Sequence, residues 1–177
     1  MINIYIPIGD FKDINMDVLN PLENCNVHLI YEKKENVLQK KLPRVREDFE
    51  TLKKQKNRIL KLGSECGDPY FIMMDSDILH ISNGIEKLIS YVTYDHEVSA
   101  VGIYPYFGKF VEKSSHVSSA CMIIKSSDVK DLYLDYNYGC FCSALIYFLN
   151  QQGKQAVYLQ EQNLVKHLSK GESYGIN

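Results

Sequence analysis

Gly67-Asp68-Pro69-Tyr70-Phe71-Ile72-Met73-Met74-Asp75-Ser76-Asp77 is the stretch that decides the fold. A turn-forming Gly-Asp-Pro leads into five apolar residues, the pattern of a short buried strand, and the run stops on two carboxylates. Side chains two apart on a strand share one face of the pleat, so Asp75 and Asp77 are expected on the same side. Open α/β sheets bind ligands beyond the C-terminal ends of their strands. Two carboxylates this close repel each other unless a cation lies between them. A hard divalent ion, with positions left for a diphosphate, suits that place. The competing reading is that one of the two aspartates simply caps the next turn.

Outward from this strand, the chain alternates strand and helix. Ile2, Ile4, Ile6 and Ile8 alternate with Asn3, Tyr5 and Pro7, which predicts a first strand ending at Gly9. Val27 to Tyr31 reads as a second strand. Val45, Phe49, Leu52, Ile59 and Leu60 fall at helical spacing, which predicts an amphipathic helix over about 44–62, closed by Gly63, with its basic residues lying between the apolar ones. Ser82 is the expected cap of a helix carrying Ile85, Leu88, Ile89 and Val92. Strands are expected at Val98 to Tyr104, Ser119 to Ile124 and Ala156 to Leu159. The last helix carries Phe141, Ala144, Leu145, Phe148 and Leu149 and stops at Gly153. This order predicts a single α/β domain over 1–177, with a mixed, mostly parallel sheet covered by helices.

Composition excludes several classes. At 177 residues and 45% hydrophobic, the chain can bury one good-sized core. A net charge of −2 offers nucleic acid no broad electrostatic grip, and the pairs Lys33-Lys34, Lys40-Lys41 and Lys53-Lys54 read as solvated faces. No apolar run reaches the length of a membrane span, and no basic region opens the chain as in a signal peptide, so a cytoplasmic location is expected. The five cysteines are odd in number and lack Cys-x-x-Cys spacing, which predicts free thiols rather than disulfides or structural zinc.

Several segments together resemble a small GT-A-fold glycosyltransferase, nearest in pattern to family 2. The opening Ile4-Tyr5-Ile6-Pro7-Ile8-Gly9-Asp10 resembles that family's first strand. Asn57-Arg58-Ile59-Leu60-Lys61-Leu62-Gly63 resembles its helix before the metal strand, and residues 67–77 resemble the strand that ends in Asp-x-Asp. Ser118-Ser119-Ala120-Cys121-Met122-Ile123-Ile124-Lys125 resembles the acceptor-side strand. Gln151-Gln152-Gly153-Lys154 and Val165-Lys166-His167 resemble the closing helix, strand and histidine.

The resemblance implies transfer of a sugar from a nucleotide-diphosphate sugar to a carbohydrate or other hydroxyl acceptor, with Mn2+ or Mg2+ stabilising the leaving diphosphate. It implies that Asp77 binds the metal, that Asp75 reaches it through water or contacts the ribose, and that His167 is a further ligand. Pro7, Ile8, Glu32, Asn57, Arg58, Asp75 and Ser76 would line the donor site. Residues 1–80 would form the nucleotide-binding half and 81–177 the acceptor half. His116 is a weaker ligand candidate that reads as a loop residue.

Two departures from the family pattern stand out. After the second strand, Glu32-Lys33-Lys34-Glu35-Asn36 replaces the usual Asp-rich loop. At the start of the closing helix, Cys140-Phe141-Cys142-Ser143 replaces the acidic pair that supplies a general base, leaving Asp135 as the nearby catalytic substitute. The alternatives are a retaining enzyme, an already nucleophilic acceptor, or a non-catalytic nucleotide-sugar-binding module.

Other folds share parts of the pattern. A haloacid-dehalogenase-type phosphatase also ends a strand in Asp-x-Asp, but near its N-terminus and with a later acidic pair that this chain lacks. A nucleotidyltransferase would carry a Gly-rich loop where Ile8-Gly9-Asp10-Phe11 stands. Tyr104, Tyr106 and Phe107, and then Tyr133, Tyr136 and Tyr138, are either walls for a sugar or packing residues. With so little room for an acceptor subdomain, the acceptor site would be shallow, built by a partner, or completed by a second subunit.

Overall fold

The computed structural model describes residues 1–9, 16–19, 22, 25–32, 49–80, 83–103, 120–136, 140–159 and 165–167. The strand at the centre of the reading forms as β3 (Tyr70–Met74). It lies in the sheet interior, parallel to β1 (Asn3–Ile8) and antiparallel to β6 (Cys121–Lys125). β2 (Asn26–Tyr31) runs parallel outside β1. β5 (Val98–Ile103) pairs antiparallel with β6 and parallel with β7 (Gln155–Leu159). The order is β2-β1-β3-β6-β5-β7, a mixed and mostly parallel sheet.

Burial on both faces explains the near-continuous apolar runs of the central strands. Ile4, Ile6, Ile8, Ile72, Met74 and Ile123 face one side and pack with Ile85, Leu88 and Val92 of α3 (Gly84–Tyr94). Tyr5, Phe71, Met73, Met122 and Ile124 face the other side. There they meet Ile59 and Leu60 of α2 (Phe49–Glu65) and Leu145 and Leu149 of α4 (Phe141–Gln151). The result is a three-layer α/β fold with one core on each face of the sheet.

Several boundaries differ from expectation. The described part of α2 runs on to Glu65, and Gly63 does not end it. A methyl group on Gly63 would run into the Phe71 ring, so this glycine is there for the close approach of helix to strand. Gly153 does end α4, with φ +70°. The Lys154 amide donates to the Leu149 carbonyl and the Gly153 amide to the Asn150 carbonyl, the two bonds of a Schellman cap. The residue capping α3 is Asn83, without a side-chain bond; Ser82 lies outside the described residues, as do Lys33, Lys34, Glu35, Asn36, Tyr104, Tyr106, Phe107, His116 and Tyr138.

Four short elements were not legible in the pattern: α1 (Met16–Leu19), β4 (Ile78–His80), a 3-10 turn at Ser126–Val129, and β8 (Val165–His167). At three or four residues each, they are too short for a period to repeat enough to be recognised. All five cysteines are free.

The buried phenols and thiols make the fold sensitive to alkali. Burial first, then the neighbouring Cys66 and Asp68, pushes the Tyr5 phenol from 10.0 up to about 12. Burial and then the Asp75 charge push the Cys121 thiol from 9.0 up to about 12, against the opposing charge of Lys56. Burial also raises Tyr136. The unfolded chain releases these protons first, so it binds fewer protons than the native state between about pH 9 and 12, and stability falls as pH rises through that window. Denaturant unfolding at pH 8, 9.5 and 11 should show a progressively lower midpoint, and a midpoint constant over that range would contradict the burial of these groups.

Candidate active site at the end of β3

The site is built around the C-terminal ends of β1, β2 and β3. β3 stops at Met74, where the Asp75 amide still donates to the Ala120 carbonyl at 2.7 Å. The chain then turns, and the Ile78 amide donates back to the Asp75 carbonyl at 3.2 Å. Asp75, Ser76 and Asp77 therefore sit in a turn between β3 and β4, each half-buried. The pleat alternation expected for the two carboxylates does not apply, because the strand has already ended. The expectation that they stand at the end of an interior strand is met.

α2 runs back over these strand ends and contributes a row of polar side chains. Gln55 Nε2 donates to the Ile8 carbonyl at 2.7 Å and to the Ile30 carbonyl at 2.9 Å, clasping β1 to β2. Lys56, only 2% exposed, reaches Asp75 Oδ1 at 2.5 Å, with its ammonium 6.0 Å from the centre of the Phe141 ring at the start of α4. One turn earlier, Lys53 Nζ pairs with Asp135 Oδ1 at 3.1 Å and Glu50 Oε2 at 3.3 Å. Burial would lower the Lys53 ammonium, but the hydrogen bonds and charges of Asp135 and Glu50 outweigh it and hold it raised.

Lys53 thus corrects the reading of the Lys53-Lys54 pair as a solvated face, and Lys56 joins it in the interior. Both are buried, and both lie on the stripe of Phe49, Leu52, Ile59 and Leu60. A lysine on an apolar stripe at i+3 and i+4 spacing was the available signal for this site. Lys54, off that stripe, is exposed as expected.

The other residues singled out by sequence are placed as follows. Pro7 and Ile8 are buried in β1, and Ile8 belongs to the core with only its carbonyl engaged by Gln55. Glu32 Oε1 pairs with Arg58 Nη1 at 2.9 Å beside the end of β2. Asn57 is buried. Its Nδ2 donates to the Lys53 and Leu134 carbonyls, each at 3.0 Å, and its Oδ1 accepts from the Leu134 amide at 2.7 Å. These bonds fix the segment leading to α4 against α2, and with it Asp135, whose side chain is 71% exposed.

The first turn of α4 holds no acid, and the Cys140 thiol caps it by accepting from the Ser143 amide. Tyr136 is buried edge-on to Phe141, whereas Tyr133 is 63% exposed and lines a cavity of about 480 Å³ on the outer side of α2 with Lys54, Arg58 and Lys61. So the tyrosines before α4 divide between packing and surface. β8 pairs antiparallel with β4, and His167 stands opposite Ile78, one residue beyond Asp77. Among the described residues, no group of three His, Cys, Asp or Glu is arranged to hold a metal.

No family model matches the chain, and no curated protein matches it. Solved structures do. A mannosyltransferase from Pyrobaculum calidifontis, in complex with GDP-Man and Mn2+, superposes with a TM-score of 0.61 at 10% identity, over 89% of this chain and 54% of its own. Glucosyl-3-phosphoglycerate synthase from Mycobacterium tuberculosis, with Mn2+, UDP and phosphoglyceric acid, gives 0.57 at 14% identity over 96% and 71%. The fold is that of GT-A glycosyltransferases. A protein from STIV matches end to end, at a TM-score of 0.60 and 10% identity over 100% of this chain and 99% of its own. The chain spans about half the length of the mannosyltransferase, so much of that enzyme has no counterpart in it. No helix among the described residues is long and apolar enough to cross a membrane.

Proposed function

We propose that this chain is a metal-dependent glycosyltransferase that moves a sugar from a nucleotide-diphosphate sugar to a hydroxyl acceptor. The observation that carries the reading is the Asp75-Ser76-Asp77 turn at the C-terminal end of an interior strand of a GT-A sheet. Nucleotide-sugar transfer needs charge stabilisation where the diphosphate leaves, and this turn sets two carboxylates at the ligand-binding end of the sheet. Residues 1–80 would provide the donor half and 81–177 the acceptor half.

A hard divalent ion is the group we assign to this turn. Asp77 is the carboxylate we assign to it, with His167 as the second protein ligand on the adjoining strand β8. One or two protein ligands, completed by phosphate oxygens and water, is an ordinary set for Mg2+-like ions. When bound, the ion would neutralise charge on the departing diphosphate. The chain's own residues do the rest. Gln55 holds the ends of β1 and β2 in register. Glu32, buttressed by Arg58, stands beside β2 where a ribose would meet the sheet. Asp75, fixed by Lys56, would meet the ribose or the ion's water.

Asp135 is the carboxylate we assign as base toward the acceptor hydroxyl. One specific observation favours a second reading, a nucleotide-sugar-binding module without transfer: the first turn of α4 lacks an acid, and Asp135 is already engaged by Lys53. Incubation with UDP- and GDP-sugars and Mn2+ distinguishes the two. The transferase reading expects slow release of free sugar to water, lost in Asp135→Asn. Donor binding without any such release supports the module.

A further inference from the structure

We infer that Glu50 is a positioning residue for the proposed transfer: it shares the Lys53 ammonium with Asp135, so that Asp135 can turn to the acceptor and take its proton without stranding a buried charge. The inference rests on the reading of Asp135 as the base.

Three side chains carry it. The Lys53 side chain is only 9% exposed, and its Nζ meets Asp135 Oδ1 at 3.1 Å and Glu50 Oε2 at 3.3 Å. The carboxylates come from different elements, Glu50 from one turn earlier on α2 and Asp135 from the segment before α4. Both are far more open than the lysine, at 49% and 71%. Glu50 also faces that segment: after burial, Cys142 and Cys140, its charge helps to raise the Tyr136 phenol. An ammonium withdrawn from water needs a counter-ion. One carboxylate would meet that need, and here two are in reach.

The second carboxylate matters once the base acts. In the transfer, the acceptor oxygen bonds the anomeric carbon of the donor sugar. The bond from that carbon to the diphosphate breaks, and the acceptor's proton passes to the Asp135 carboxylate. Asp135 is then neutral and no longer balances Lys53. With Glu50 on the same ammonium, Lys53 keeps a counter-ion throughout. The engagement of Asp135 by Lys53 is therefore no bar to its use as a base. Glu50 acts through Lys53 and does not itself touch the acceptor.

Melting of the full chain in chelator tests the sharing without any substrate. Glu50→Gln and Asp135→Asn should each lower the melting temperature by no more than about 3 °C, since the other carboxylate stays on Lys53. The double variant strands the ammonium and should fall by about 5 °C beyond the two single losses together. Adding Lys53→Met to the double variant removes the stranded charge and should recover most of that extra fall. Additive losses in the double variant would overturn the inference.

Sugar release from UDP- and GDP-sugars in Mn2+ reads the catalytic part. A general base is worth about 10²–10⁴-fold, so Glu50→Gln, acting through it, should lower kcat by about tenfold and leave the KM for the donor unchanged. Glu50→Asp, which keeps the charge, should restore much of the rate. Release by Glu50→Gln at the parent's rate would overturn the positioning role. A parent that releases no sugar, with the melting losses still non-additive, would sink the transferase reading and Glu50's part in it, and leave the shared ammonium standing.

Discussion

Asp77→Asn is expected to lower Mn2+-dependent binding of a sugar nucleotide by on the order of a hundredfold or more, since even residues behind a metal ligand are worth 10–100-fold. Asn keeps the size and one oxygen of Asp but loses its charge, and a hard cation is held mainly by charge. The fold should survive. Asp77 lies in a half-buried turn outside both hydrophobic cores, so its replacement opens no cavity. The variant should stay folded in chelator, with a melting temperature within a few degrees of the parent's. His167→Ala belongs to the same experiment, because β8 brings His167 opposite Ile78. A His167→Ala protein that binds as the parent does would leave the ion to Asp77, phosphate and water.

The largest effect on stability is expected at Gly63. Glycine to alanine inside a helix usually gains about 1 kcal/mol through propensity. Here the new methyl would be driven into the Phe71 ring, itself fully buried between helix and sheet. Overpacking of this kind costs about 1–3 kcal/mol and outweighs the gain, and valine at the same place should cost more. Net of the propensity gain, the loss is up to about 2 kcal/mol, a fall in melting temperature of up to roughly 8 °C for a chain of this size. Phe71→Leu in the Gly63→Ala background should recover part of the loss, because it removes the ring that the methyl strikes. Additive losses in the double variant would contradict the contact.

Much of the fold was legible because its elements are long enough to show a period. β1, β3 and α4 are continuous or evenly spaced apolar runs, and their positions follow the pattern within a few residues. Gly153 was readable as a stop because it follows the last periodic residue; Gly63 misled because it also follows an apolar pair, yet Phe71 needs the space. The Asp75-Ser76-Asp77 turn was conspicuous because carboxylates rarely follow a buried strand without reason.

The parts that escaped depend on distant partners. Nothing local in Gln55 shows that it bonds the ends of β1 and β2, and nothing in Asn57 shows that it holds Leu134. Lys56 was hidden by its own type: a lysine in a charged helix reads as surface until Asp75, nineteen residues on, is seen against it. Its place on the apolar stripe was the one clue.

The turn at the end of β3 is expected to take a cation that a nucleotide diphosphate then shares. Calorimetric titration of the full chain with UDP- and GDP-sugars, in Mn2+ and in chelator, tests this directly. Saturable binding in Mn2+, lost in chelator and in Asp77→Asn, is the expected result. Equal affinity with and without the metal, or no binding of any sugar nucleotide, would contradict it.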